Sequence, residues 1–382
     1  MRKPVDYTTR AIRYTAKFPL LTYVGTQVNF WIVANILLMT CLRFFAHIIA
    51  ETLQIPVVGS IGAGLLVAVA LGLLYGVGFG MTGYYLDRRF LRKSSLGKIL
   101  LFKTLMSVAL FAFVLMVFRF VLFDILISPS LTIAGMRFTE RSWDYLFWLL
   151  LIYYFFMTVV ISFVNQVNKK YGPGVLLPLL LGRYSIPREE DRIFMFMDLK
   201  SSTAVAERLG HLKYSAFIRD YFADINEVLF PFSAQVYQYV GDEIVVMWPE
   251  EEGLNDHFCI QFFFAVKAQF HQKDAYYLST YGFLPVFKAG LHLGKVTAVE
   301  IGEIKKDIAY HGDTLNTAAR IQHVCNDYER EFLASEYLIG KLGPDHGFMF
   351  EHLGKILLKG KSEQVGIVSV AAKLSGLPGE SS

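Results

Sequence analysis

Arg192-Ile-Phe-Met-Phe-Met-Asp-Leu-Lys-Ser-Ser-Thr203 reads as a strand that ends in a carboxylate and turns at once into helix-start chemistry. Its echo is Tyr237-Gln-Tyr-Val-Gly-Asp-Glu-Ile-Val-Val-Met-Trp248, where Asp242 follows Gly241 between two β-rich runs. A glycine-aspartate pair between such runs predicts a hairpin, which would carry Asp242 back beside Asp198. The Ser/Thr-rich segment after Asp198 offers free backbone N–H groups at a helix start. A carboxylate pair beside such a helix start suits Mg²⁺ and a polyphosphate. Two metals around phosphates suit in-line attack on a nucleotide.

Working outward, the chain is 382 residues long and 54% hydrophobic, with nearly all of the apolar excess before about residue 168. Four apolar stretches, about 18–42, 57–85, 99–122 and 145–167, each reach the roughly 20 residues needed to cross a bilayer. The expectation is therefore a four-span membrane domain over 1–168. The second stretch is rich in glycine, which lets helices approach closely in lipid. Lys103 and Arg119, near the ends of the third stretch, read as snorkelling to the two interfaces, and His47 and Glu51 as members of a solvated outer loop. Lys/Arg clusters at the N-terminus, at Arg88 to Lys98 and at Lys169-Lys170 place both termini in the cytoplasm, at the plasma (inner) membrane. The net charge of +4 comes from groups beside the spans, which excludes a nucleic-acid-binding face and makes lipid the expected partner. Cys41, Cys259 and Cys325 lack metal-ligand spacing and read as free thiols.

Residues 169–191 read as a short coupling linker, 192–373 as a catalytic domain and 374–382 as a disordered tail. The alternation after Arg192 predicts an α+β sheet with helices on one face. A strand at Ile193–Met197 leads to helices broken near Gly210 and a hairpin around Gly241-Asp242. A helix over Asp256–Gln272 and a second hairpin around Gly294 follow. Then come a helix over Thr314–Val324 and short strands at Glu331–Ser335 and Ile356–Leu358.

Two further blocks complete the pattern. His311-Gly-Asp-Thr-Leu-Asn-Thr-Ala-Ala-Arg320 sets Asn316 and Arg320 four residues apart, on one helix face. An amide and a guanidinium so placed can orient a sugar and neutralise phosphate charge. Leu358-Lys-Gly-Lys361 puts Lys359 beside a strand end, within reach of a terminal phosphate. Each block alone has a plainer explanation: a helix cap, a solvated face, a turn. Together and in this order, FMDLKSST, YQYVGDEIVVMW, HGDTLNTAAR and LLKGK resemble the catalytic domain of class III adenylate/guanylate cyclases.

That resemblance implies a ferredoxin-like α+β domain that works as a homodimer with two interfacial active sites. It implies that Asp198 and Asp242 bind two Mg²⁺ or Mn²⁺ ions, and that the backbone from Leu199 and Lys200 through Ser201, Ser202 and Thr203 cradles phosphates. Asn316 would orient the ribose, Arg320 would meet the α-phosphate, and Lys359 the β- and γ-phosphates, all from the partner protomer. Base recognition would fall to Gln238 and Ala309, where adenylate cyclases of the family often carry Lys and Asp or Thr. Neither residue matches the guanylate pattern either, and the absence of a Glu to pair guanine favours ATP over GTP. The implied reaction is ATP to 3′,5′-cyclic AMP and pyrophosphate.

The rivals are a guanylate cyclase, a membrane receptor whose cyclase-like domain binds without turnover, a channel or transporter with a regulatory nucleotide-binding domain, and a diguanylate cyclase. Retention of both Asp residues, Asn316 and Arg320 argues against the second. The first, second and fourth spans lack the deep charges or breaks of the channel, and Val240-Gly241 stands where a diguanylate cyclase wants two glycines.

Overall fold

The computed structural model describes residues 18–54, 61–89, 96–117, 140–171, 182–303, 306–343, 347–358 and 363–373. The N-terminal segment, Arg119, most of the linker, Lys359 and the tail lie outside the described residues. Two compact units emerge, Phe18–Pro173 and one that takes in Gly174–Ser382.

In the first unit, α1 (Pro19–Leu53), α2 (Ile61–Arg89), α3 (Leu96–Val117) and α4 (Glu140–Tyr171) are the helices. Helices α1 and α2 meet through a Gly72, Gly76, Gly80 ladder. A Cβ on Gly72 would lie 2.6 Å from the Ile32 Cα, and one on Gly76 2.5 Å from the Val28 Cα. Beside that seam, Trp31, Tyr75, Phe79, Phe111 and Tyr154 form a buried aromatic layer. Tyr75 Oη donates to the Ser107 carbonyl at 2.9 Å, and Tyr154 Oη to Asn35 Oδ1 at 2.6 Å. Such bonds satisfy polar groups where no water reaches.

Three helices, not four, are long and apolar enough to cross a membrane among the described residues: Leu20–Leu53, Gly64–Leu86 and Asp144–Val167. Of the expected third span, the described part shows an apolar helical run at Leu101–Phe113, and residues 118–122 lie outside the described residues. Lys103 does not snorkel: it is 2% exposed, with Nζ 3.5 Å from Tyr23 Oη. His47 and Glu51 sit in the last turns of α1 rather than in a loop.

In the second unit the elements run β1 (Arg188–Leu199), α5 (Ser202–Leu229), β2 (Gln235–Val240), β3 (Glu243–Pro249), α6 (Glu250–Leu254), α7 (Phe258–Gln272) and α8 (Asp274–Tyr281). They continue with β4 (Phe287–Ile301), β5 (Asp307–His311), α9 (Asp313–His323), β6 (Phe332–Ser335), α10 (Glu336–Ile339), β7 (Phe348–Ile356) and β8 (Val365–Ala372). The sheet order is β2-β3-β1-β4-β6-β8-β7, with β5 paired to β4.

Strand β1 alternates between two cores, as the period of two requires. Ile193, Met195, Met197 and Leu199 pack with Phe217 and Tyr221 of α5 and Phe262, Phe263 and Phe270 of α7. Phe194 and Phe196 face the other way, toward Val245, Val296, Tyr310 and Ala318 of α9. Helices therefore cover both faces, not one as the order of elements suggested. The break in α5 is where the sequence put it, at Gly210 (φ 70°, ψ 162°). Tyr184 already belongs to the second core, and its carbonyl accepts from Glu300 N at 2.8 Å.

One expected hairpin is absent. Residues 287–301 form a single strand that pairs with β1 from Leu199↔Phe287 to Arg188↔Ala298. Gly294 is there for close approach rather than for a turn: a Cβ on it would lie 2.5 Å from Thr314 Oγ1. At Gly290 the constraint is tighter, with the Gln322 N at 2.2 Å and the Ala318 carbonyl oxygen at 2.5 Å. The backbone of α9 thus lies directly on β4.

Replacing Gly290 by Ala forces α9 off the sheet. Overpacking of this kind costs about 1–3 kcal/mol, so Gly290→Ala is expected to melt several degrees below wild type in detergent. An unchanged melting temperature would contradict the tight contact.

Candidate active site

The hairpin between β2 and β3 closes as the sequence suggested, with Val240 paired to Glu243 and Gly241 at φ 63°. Strand β3 pairs with β1 up to Met197↔Ile244, so Asp242 arrives beside Asp198. The two carboxyl groups interact directly. Burial first, then Asp242, raises the proton affinity of Asp198, against the pull of Lys288 and Gln322. Glu243 is pushed up to about 7 by burial and by both aspartates. Asp242 Oδ2 is buried without a hydrogen-bond donor. Two half-buried carboxylates pressed together, one with an orphaned oxygen, form a site short of positive charge.

Those are the features a divalent cation would satisfy. Among the described residues no cluster of three or more His, Cys, Asp or Glu side chains could hold a metal. The donor set is a carboxylate pair, which suits Mg²⁺ or Mn²⁺ that draws its other ligands from water and substrate phosphates.

Immediately after Asp198 the chain turns. Lys200 N donates to the Val286 carbonyl at 2.8 Å, and Ser201 adopts a left-handed conformation (φ 58°) as it enters α5. No side chain caps that helix start. The N–H groups around Ser202 and Thr203 are left for another acceptor. Leu199 is buried and fixes the loop from below, whereas Ser201 and Thr203 are exposed. A cleft of about 610 Å³ next to the loop is lined by Lys200, Ser201, Lys288, Asn326 and Arg330 among others.

The residues on α9 are displayed differently. Its buried face is Thr314, Thr317, Ala318, Ile321 and Gln322, which leaves Asn316 exposed and Arg320 half-buried. Arg320 Nη1 is buried without an acceptor. No described hydrogen bond or ion pair joins Asn316 or Arg320 to the aspartates of their own chain. Gln238 is exposed on β2, beyond a bulge that follows Val236. Ala309 is 8% exposed on β5, and its neighbours Ile308 and Tyr310 pack against the core that Tyr237 joins. No described contact joins Gln238 to Ala309.

Two residues escaped the sequence reading. Gln322 Nε2 donates to Asp198 Oδ2 at 3.2 Å, and Lys288 Nζ stands 3.6 Å from the same oxygen. The signal for Gln322 was present, since it is a polar residue at a buried position of the Thr314, Ala318, Ile321 stripe.

Residues 186–369 match the family model described as the adenylate and guanylate cyclase catalytic domain. The C-terminal region is thus similar to the catalytic domain of class III cyclases. Over 217 residues the chain is 36% identical to adenylate cyclase 2 of Rhizobium meliloti (strain 1021), covering 56% of this chain and 60% of that one. It is 25% identical to an adenylate cyclase of Anabaena cylindrica over 47% of this chain and 36% of the relative. The chain thus spans 60% or less of the length of these curated relatives. Among solved structures, the adenylyl cyclase CyaB from P. aeruginosa aligns at 18% identity and TM-score 0.41, over 50% of this chain and 99% of that one. A bacterial light-regulated adenylyl cyclase aligns at 18% identity and TM-score 0.48, over 55% and 62% respectively. Cys259 and Cys325, expected as free thiols, are both free and buried.

The carboxylate pair predicts a pH dependence. Asp198 binds its proton more tightly folded than unfolded, so without metal its contribution to stability is lost as pH rises through the folded value. In chelator, the melting temperature of wild type is expected to fall as pH rises above the ordinary carboxylate range, and Asp242→Asn to flatten that slope and melt higher at neutral pH. A steeper slope in Asp242→Asn would contradict the repulsion.

Proposed function

We infer that this protein is a membrane-anchored adenylate cyclase that converts ATP to 3′,5′-cyclic AMP and pyrophosphate at a homodimer interface. The observation that carries the reading is the Asp198–Asp242 pair beside an uncapped helix start, inside a class III cyclase domain. The named relatives at 36% and 25% identity are adenylate cyclases, which favours ATP.

In this reading the 3′-hydroxyl oxygen of ATP attacks the α-phosphorus and the α–β bridging P–O bond breaks. Pyrophosphate leaves with the bond pair, and the hydroxyl proton passes to solvent. Asp198 and Asp242 would hold the two divalent ions. When bound, Mg²⁺ or Mn²⁺ acidifies the attacking hydroxyl and neutralises triphosphate charge. The N–H groups from Leu199 to Thr203 hold phosphate oxygens. Arg320 of one protomer supplies the N–H that finds no acceptor in its own chain, and places it against the α-phosphate of the other protomer's nucleotide. Asn316, exposed one turn earlier, orients the ribose. Lys359 meets the terminal phosphates. Gln238 reads the adenine edge through its amide, with Ala309 leaving room rather than making a bond.

The catalytic domain faces the cytoplasm, where ATP is, and the apolar helices anchor it to the plasma membrane. The basic pair Lys169-Lys170 after the last span supports that side.

The division of labour between protomers gives the test. Asp198→Ala and Arg320→Ala are each expected to lower cyclic AMP formation by at least about 100-fold. Co-expressed, the two variants form mixed dimers in which one of two sites is intact. Random pairing then restores about one quarter of wild-type activity. No recovery on mixing would mean that each site is built within one chain. Cyclic GMP as the product would correct the substrate and leave the mechanism standing.

A further inference from the structure

The contacts to Asp198 are lopsided. Its Oδ2 accepts from Gln322 Nε2 at 3.2 Å and lies 3.6 Å from Lys288 Nζ, whereas Asp242 Oδ2 is buried with no donor at all. Neither neighbour is a mobile surface group. Gln322 is 1% exposed, and the side chain of Lys288 is 13% exposed.

Both neighbours are held by the backbone. Lys288 is the β4 residue directly opposite Asp198 in the antiparallel register. Gln322 lies where α9 touches β4 most closely, its backbone nitrogen 2.2 Å from the place a Cβ on Gly290 would take. The residues after α9 are tied down as well, since Cys325 Sγ donates to the Ala289 carbonyl at 3.4 Å. The Gln322 amide therefore has a fixed origin, and its donor reaches one oxygen of one aspartate.

Resting on the cyclase reading, we propose that Gln322 is a positioning residue which fixes the carboxylate of Asp198, and that Lys288 is an internal cation holding the place of the metal. The two act with opposite sign. The Gln322 N–H occupies Oδ2 and so orients the carboxylate, leaving Oδ1 and the free oxygen of Asp242 for a divalent ion. Groups that orient a ligand in this way commonly contribute about 10–100-fold to metal affinity. Lys288 carries a positive charge beside the same oxygen, so it stabilises the metal-free site and opposes an incoming cation. An amide at position 322 suits the task better than a carboxylate, which would add a third negative charge and donate nothing when ionised.

The test is binding of Mn²⁺ alone to the purified full-length chain, followed by the paramagnetic resonance of free Mn²⁺, with Asp198→Ala marking the specific site. Gln322→Met keeps the length and removes the donor, and is expected to weaken Mn²⁺ binding about 10–100-fold. Saturating Mn²⁺ should then recover most of kcat. Lys288→Met is expected to tighten Mn²⁺ binding on the order of tenfold. Equal weakening in both variants, or unchanged affinity in Gln322→Met, would overturn the proposal. If Gln322→Met does not fold, Lys288→Met decides alone: tighter binding supports the assignment and weaker binding overturns it. Formation of cyclic nucleotide by wild type is scored separately, so failure of the positioning role and failure of the cyclase reading are told apart.

Discussion

Everything at the site depends on two like charges being held where each raises the cost of the other. Asp198 ends β1 and Asp242 sits in the hairpin before β3, and the β1–β3 register leaves them no room to separate. A fold does not place two carboxylates together for stability, since repulsion and burial both act against it. What compensates is the surrounding sheet. The strand cores on either side, with Ile193, Phe194, Met195, Ile244, Val245 and Val246 all fully buried, are rigid enough to hold the pair together. In the proposed reading, the energetic cost of the pair is what a bound cation would relieve.

The second constraint is the contact of α9 with β4. Two glycines, Gly290 and Gly294, remove the side chains that would otherwise separate helix from strand. That approach does two things at once. It turns Gln322 inward to Asp198, and it turns Asn316 and Arg320 outward on the opposite side of the same helix. In the proposed dimer, one helix would serve its own protomer with its buried face and offer a partner its exposed one.

Much of this was legible in the sequence. The strand into Asp198, the Gly241-Asp242 hairpin and the break at Gly210 each rest on a local rule: alternation, turn chemistry, or positive φ. Gly294 was misread because a glycine between β-rich runs has two meanings, and only the position of Thr314 separates a turn from a close approach. Helix α8 escaped because its packing partners on α5, Phe217 and Asp220, are remote in sequence. Lys103 was misread for a related reason. Hydropathy sees a charge near the end of an apolar run, but whether that charge reaches the interface depends on neighbours such as Tyr23, some 80 residues away.

The helical unit obeys the same packing logic. Glycines bring α1 and α2 into backbone contact, Ser107 and Thr158 bond through their hydroxyls, and Tyr75 and Tyr154 donate to the Ser107 carbonyl and to Asn35 Oδ1. The central claim, that the carboxylate pair serves cyclisation of a nucleotide, is tested most directly by product identity. Purified full-length protein would be incubated with ATP and Mn²⁺, and its products identified by mass. The account predicts 3′,5′-cyclic AMP with an equal amount of pyrophosphate, and neither from Asp198→Ala. Release of ADP and phosphate, or a cyclic product undiminished in Asp198→Ala, would contradict it.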